Sequence, residues 1–150
     1  MQLVIAGSPV PRYQQFTEDL STFKFRKEVK LLGDLSKNEL AKLTAAAYAM
    51  VCPVFVEGLT AHALGAMQCG VPVIVSNGQW GMGNGQLTMA VLYADPGDFM
   101  DIADKMMTLF KDERKRNALI VAGRTAVQAF NPQQTANMLW DCINFAAANQ

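Results

Sequence analysis

The chain has 150 residues, 51% of them apolar, and its 13 basic and 13 acidic side chains cancel. That length suits one domain with a sizeable core. A neutral balance without a basic run leaves no electrostatic footprint for nucleic acid or anionic lipid, and no apolar run approaches the ~20 residues that span a bilayer.

Taken in chain order, strands and helices alternate. MQLVIAG has neither the basic leader nor the cleavage site of a signal peptide; Leu3 to Ala6 reads as a strand ended by the turn Gly7-Ser8-Pro9. Gln14 to Phe25 predicts a weak helix, and Val29 to Leu32 a strand closed by Gly33. Ser36-Lys37-Asn38-Glu39 is a capping box for a helix to about Ala47. Ala49 to Cys52 is a further strand, and about Thr60 to Cys69 a helix with Gly70 as its left-handed stop. Val71 to Val75 follows as a strand, then a loop with four glycines between Gly78 and Gly85, then a strand at Val91 to Ala94. Asp98 caps a helix to about Lys111 whose apolar face is Phe99, Ile102, Met106 and Phe110, with Met106 and Met107 as core filling. A helix from Glu113 to about Ala129 opens in the mixed-sign cluster Lys111-Asp112-Glu113-Arg114-Lys115-Arg116, a solvated face. Asn131-Pro132 starts the last helix, with Met138, Leu139, Cys142 and Phe145 as its apolar face.

Cys52, Cys69 and Cys142 are odd in number and far apart, without a Cys-x-x-Cys pair. This argues against a zinc or disulfide framework and predicts buried thiols in a cytoplasmic protein.

The alternation predicts an α/β domain, three-layered and Rossmann-like, with a parallel sheet joined by right-handed crossovers. Ligands of such sheets bind beyond the carboxyl ends of the strands. The loops that matter are therefore Gly7-Ser8-Pro9, Gly33-Asp34-Leu35, Pro53 to Thr60, and Asn77 to Gln86. The amides of Gly58, Leu59, Thr60 and Ala61 open a helix and lack intrahelical partners, so they suit a phosphate without any basic side chain. Thr60 reads equally as an ordinary cap. His62, the one histidine, reads as structural or exposed, with a minor donor contact as the alternative. Trp80 in its glycine-rich loop can stack on a base or sugar, or fill a gap in the core.

Pro53, Glu57-Gly58, the run Ala63-Leu64-x-Ala66-Met67-x-Cys69-Gly70, and Val71-Pro72-Val73-Ile74 resemble the signature of family 4 (group 1) glycosyltransferases of the GT-B superfamily. Val29-x-Leu31-Leu32-Gly33 with Glu39-Leu40 resembles the strand and helix upstream, and Leu92 to Asp98 the strand and Asp-Pro turn downstream. Leu3 to Gly7 resembles an earlier strand of the same domain. The resemblance implies a single nucleotide-sugar-binding domain over residues 1–150, the C-terminal donor-binding half of a retaining hexosyltransferase-type enzyme of carbohydrate biosynthesis. It implies a nucleotide-diphosphate sugar as donor substrate, with no cofactor and no metal, in agreement with a sequence that lacks Asp-x-Asp. By resemblance, Glu57 is the catalytic carboxylate beside the donor sugar. Gly58, Leu59, Thr60 and Ala61 hold the diphosphate, and Gly33, Asp34 and Leu35 face the base.

Departures from the pattern bear on activity. The second carboxylate of the family's E-x7-E motif, which binds ribose, falls at Gly65. A mid-helix glycine costs ~1 kcal/mol against alanine, and tight packing of the helix on the sheet is one reason to expect it. Val54 stands where the family has Ser, and Gln79 to Gly83 where it has Pro-Glu. The chain matches the family from its second strand–helix unit onward. Neither the first unit's Arg and Lys pair nor an N-terminal acceptor domain is expected within it, and a fragment of this kind is expected to be inactive alone. The alternative is a non-catalytic, degenerate GT-B-like nucleotide-binding or scaffold module. A receiver domain is a poor third, for want of its acidic cluster and late lysine.

Overall fold

The computed structural model describes residues 1–8, 13–55, 61–77 and 89–148. The chain divides into two compact units, Met1–Leu43 and Thr44–Gln150.

In the first unit, β1 (Leu3–Ala6) pairs in parallel with β2 (Val29–Gly33). The register runs Leu3 to Val29, Val4 to Lys30 and Ile5 to Leu31, then slips so that Ala6 faces Gly33. Leu32 is the extra residue, a bulge of the kind that bends a strand end and re-aims the loop beyond it. Between the strands lies α1 (Tyr13–Thr22) and a 3₁₀ turn at Arg26–Glu28. The expected helix to Phe25 stops at Thr22. There Phe23 donates its N–H back to the Leu20 carbonyl at 3.1 Å, and the Phe23 and Phe25 rings meet edge to face at 5.9 Å.

The helix α2 (Lys37–Ala46) starts at the predicted capping box. The Glu39 N–H donates to Ser36 Oγ at 3.3 Å, and Glu39 Oε2 accepts from the Ser36 N–H at 2.9 Å and from its hydroxyl at 2.6 Å. These bonds hold the Glu39 carboxyl below the usual carboxylate range, the hydroxyl contributing most.

The second unit is built on a parallel sheet in the order β3 (Met50–Cys52), β4 (Val73–Ser76), β5 (Leu92–Ala94). The described strands thus form two parallel sheets. β4 is central and buried throughout. Its alternating side chains feed two cores. Val73 and Val75 pack with Ala63, Ala66 and Met67 of α3 (Ala61–Gln68) and Val127 of α5 (Glu113–Val127). Ile74 packs with Ala94, with Leu109 of α4 (Phe99–Lys111) and with Leu119 of α5. Helices on both faces give the three-layer, Rossmann-like arrangement.

Chain direction is set by local chemistry. Gly70, at φ 74°, closes α3: its N–H donates to the Met67 carbonyl at 3.0 Å, and that of Val71 to Ala66 at 2.9 Å. This is a Schellman closure. It consumes the Val71 N–H, and Pro72 has none, so β4 begins at Val73 rather than at the expected Val71. Asp98 caps α4 through the N–H groups of Met100 at 2.8 Å and Asp101 at 3.3 Å. Asp112 ends α4 and caps α5, accepting from Lys115 N–H at 2.8 Å.

Several expected faces are corrected by the packing. On α4, Ile102, Met106 and Leu109 turn inward, while Phe99, Met107 and Phe110 are exposed. Helix α6 (Pro132–Ala148) exposes its apolar residues, Trp140 at 63% and Phe145 at 74%, so Met138, Leu139, Cys142 and Phe145 form no core face. Of the three thiols only Cys52 is buried; Cys69 and Cys142 are exposed. Arg116 is not a freely solvated member of its cluster. Its guanidinium stacks 4.1 Å from the Tyr48 ring centroid and reaches Glu113 at 3.0 Å. The half-buried Tyr48 hydroxyl bonds the Leu109 carbonyl and Glu113 Oε2, each at 3.1 Å; burial, then Glu113, raises its pKa.

Candidate functional site

The carboxyl ends of the strands supply two separate sets of candidate residues. In the first unit, the bulge and two glycines shape the ends of β1 and β2. Gly7 (φ 144°) donates its N–H to the carbonyl of Gly33 (φ 62°) at 2.9 Å. One residue further on, Ser8 Oγ donates to Asp34 Oδ1 at 2.5 Å. The loops after β1 and β2 are therefore tied by a backbone bond and a side-chain bond in succession. Of the predicted base-contact residues, Gly33 and Leu35 are half-buried and Asp34 is exposed. Loop position made Ser8 legible in sequence, but its pairing with a residue 26 positions away was not.

In the second unit, β3 ends at Cys52 and β4 at Ser76. The Ser76 side chain is buried, and its hydroxyl reaches toward the Cys52 carbonyl at 3.4 Å. The hollow lined by Cys52, Pro53, Ser76, Ala94 and Pro96 leaves no room for a water molecule. Ligand space on this edge therefore has to lie outside that layer. Helix α3 opens at Ala61, whose side chain and that of His62 are exposed. Glu57, Gly58, Leu59, Thr60 and Trp80 lie outside the described residues.

Gly65 differs from its expected explanation. Ala63, Ala66 and Met67 form the buried face of α3, and Gly65 lies off it. A Cβ built there meets nothing within 4 Å. Tight packing on the sheet therefore does not account for this glycine, and the position has space for a side chain. An open cleft of about 500 Å³ lies at the other end of α3, beside Gln68, Arg124 and Phe130. Among the described residues no group of three or more His, Cys, Asp or Glu side chains could hold a metal ion, and no helix is long and apolar enough to cross a membrane.

The family model for glycosyl transferases group 1 matches residues 1–126. The chain belongs to this family. A group 1 glycosyl transferase chain of this kind also finds its fold among solved structures. Sucrose-phosphate synthase from Thermosynechococcus elongatus superposes with a TM-score of 0.81 at 24% identity, over 99% of this chain and 39% of that one. HepE of Anabaena, solved in complex with UDP, gives 0.74 at 21% identity, over 94% of this chain and 41% of that one. The C-terminal domain of a glycosyl transferase group 1 family protein (LpcC) from Francisella tularensis gives 0.71 at 24%, over 85% of this chain and 68% of that one. The group 1 chain thus has the GT-B C-terminal fold and spans about two fifths of the length of the first two structures it matches. No curated protein sequence matches it.

Proposed function

We propose that the chain is the donor-binding part of a retaining, hexosyltransferase-type enzyme that uses a nucleotide-diphosphate sugar. The observation that carries this reading is the ordered family match over residues 1–126, joined to a helix, α3, that opens at the carboxyl edge of a parallel sheet. In this reading the amides of Gly58, Leu59, Thr60 and Ala61 hold the diphosphate. Oriented N–H groups stabilise the negative charge that develops on a departing nucleoside diphosphate without having to reorganise. Glu57 holds donor-sugar hydroxyls and offsets positive charge at the anomeric carbon. Gly33, Asp34 and Leu35 contact the nucleoside. The similarity to a protein solved with UDP supports a nucleotide ligand. The sequence's lack of an Asp-x-Asp motif supports transfer without a metal.

Sugar transfer also needs an acceptor site. We therefore propose that residues 1–150 by themselves bind donor and do not turn it over, with the acceptor held by a further domain. Donor-dependent glycosylation by this chain alone would overturn that statement. The nucleotide site is tested by NMR titration with UDP, GDP and ADP. Shifts at Gly33 to Leu35 and at Ala61 are expected, and their absence at millimolar ligand would sink the assignment. Gly65, in place of a ribose-binding carboxylate, is the observation that favours a non-catalytic nucleotide-binding module as the second reading. Turnover by the full-length natural protein separates the two.

A further inference from the structure

The tie between the two loops of the first unit is more than a turn closure. We propose that Ser8 is a positioning residue for nucleoside recognition. Its hydroxyl holds the Asp34 carboxylate so that the remaining carboxylate oxygen accepts a hydrogen bond from an N–H or O–H group of the bound nucleoside. The inference rests on the nucleotide-sugar reading and adds to it the device that sets its specificity.

Three features converge on this point. The pairing slips by one residue at Leu32 of β2, and Gly33 continues the strand at a φ of 62° that a side chain would strain. The Gly7 N–H to Gly33 carbonyl bond at 2.9 Å then fixes the separation of the two loop backbones. On that base the Ser8 hydroxyl donates to Asp34 Oδ1 at 2.5 Å, a short, charge-assisted bond that restricts the carboxylate's rotation. A carboxylate only accepts hydrogen bonds. Among the described residues Ser8 is the hydrogen-bond partner of Asp34 and no cation pairs with it. Asp34 is exposed, and the bond from Ser8 takes only one of its two carboxylate oxygens. It sits at the carboxyl ends of two parallel strands, where such sheets bind ligands. A fixed acceptor there favours a base edge or ribose that presents a donor, and disfavours one that presents a lone pair. A free-rotating Asp34 would lose that discrimination.

The test is calorimetric titration of the full-length natural protein with UDP, GDP and ADP, and separately with inorganic pyrophosphate. Ser8→Ala is expected to weaken the preferred nucleoside diphosphate at least about tenfold, as for loss of one oriented charge-assisted bond, and to narrow the spread among the three. Pyrophosphate binding is expected to be unchanged, and Ser8→Thr, which keeps the hydroxyl, to restore the preference. Asp34→Ala is expected to match Ser8→Ala, with no added loss in the double variant. Equal nucleotide binding by wild type and Ser8→Ala would overturn the proposal alone, as would equal weakening of pyrophosphate. A wild-type protein that binds none of the three nucleotides would overturn the nucleotide reading itself.

Discussion

Gly70 and Gly65 sit five residues apart, yet their backbone requirements are opposite. Gly70 holds φ 74°, and a Cβ there would run into the Arg124 guanidinium. The far end of an arginine can move, but the left-handed conformation still costs an L-residue ~1–2 kcal/mol. Gly70→Ala is expected to lower unfolding stability by at least that, read by urea denaturation. Gly65 has no positive φ and an open Cβ direction. Gly65→Ala is expected to stabilise by ~0.5–1 kcal/mol through helix propensity alone. Gly65→Glu is expected to fold equally well and, if the nucleotide assignment holds, to raise UDP affinity; an unchanged dissociation constant would count against ribose contact at this position. Gly70 is legible in sequence in its role as well as its identity, because a left-handed helix stop is a local matter. The reason for Gly65 is not, because whether a helix face meets its sheet there is decided by packing.

At the scale of elements, capping carries most of the agreement between sequence and structure. The box at Ser36 and Glu39 and the cap at Asp98 are satisfied within four residues, so no distant partner is needed to place them. The pH dependence of the Ser36–Glu39 box comes from the lowered carboxyl pKa of Glu39. A carboxylate depressed in the folded state contributes stability above its unfolded pKa, near 4.3 for Glu, and loses it as pH falls through the folded value. Asp101 behaves likewise, lowered chiefly by its bond to Lys105. The Lys105 amine is raised, so its share is present below its unfolded pKa and lost only at higher, alkaline pH. In Ser36→Ala, the Glu39 carboxyl is expected to titrate closer to its ordinary value and the α2 amides to exchange faster at neutral pH. An unmoved Glu39 titration by NMR would show that the hydroxyl is not what lowers it. Helix faces agree less well. The 3.6-residue period places Phe99, Ile102, Met106 and Phe110 of α4 inward; Ile102 and Met106 do pack there, joined by Leu109, while Phe99 and Phe110 at the flanks of the stripe stay exposed. Period alone gives the middle of a buried face but not its edges.

For the molecule as a whole, stability is concentrated around the middle strand of the second unit. β4 is buried along its length and bonded on both sides, whereas α6 has no buried side chain among its described residues. Native-state hydrogen exchange is expected to rank β4 slowest and α6 fastest among the elements of that unit. Protection of α6 equal to that of β4 would contradict this. Sequence alone sufficed for the α/β alternation, the parallel pairing, the helix caps and the family, because these rest on local hydrogen bonding and on the order of short apolar runs. It also singled out the strand-end loops, since ligand position in such sheets is set by strand direction. Packing of the folded chain settled the rest. It divided the described strands between two sheets, buried Cys52 but not Cys69 or Cys142, left Gly65 unpacked, and brought Ser8 to Asp34. Each of these depends on which residues far apart in the chain come within a few ångströms, and neither local propensity nor periodicity encodes that distance.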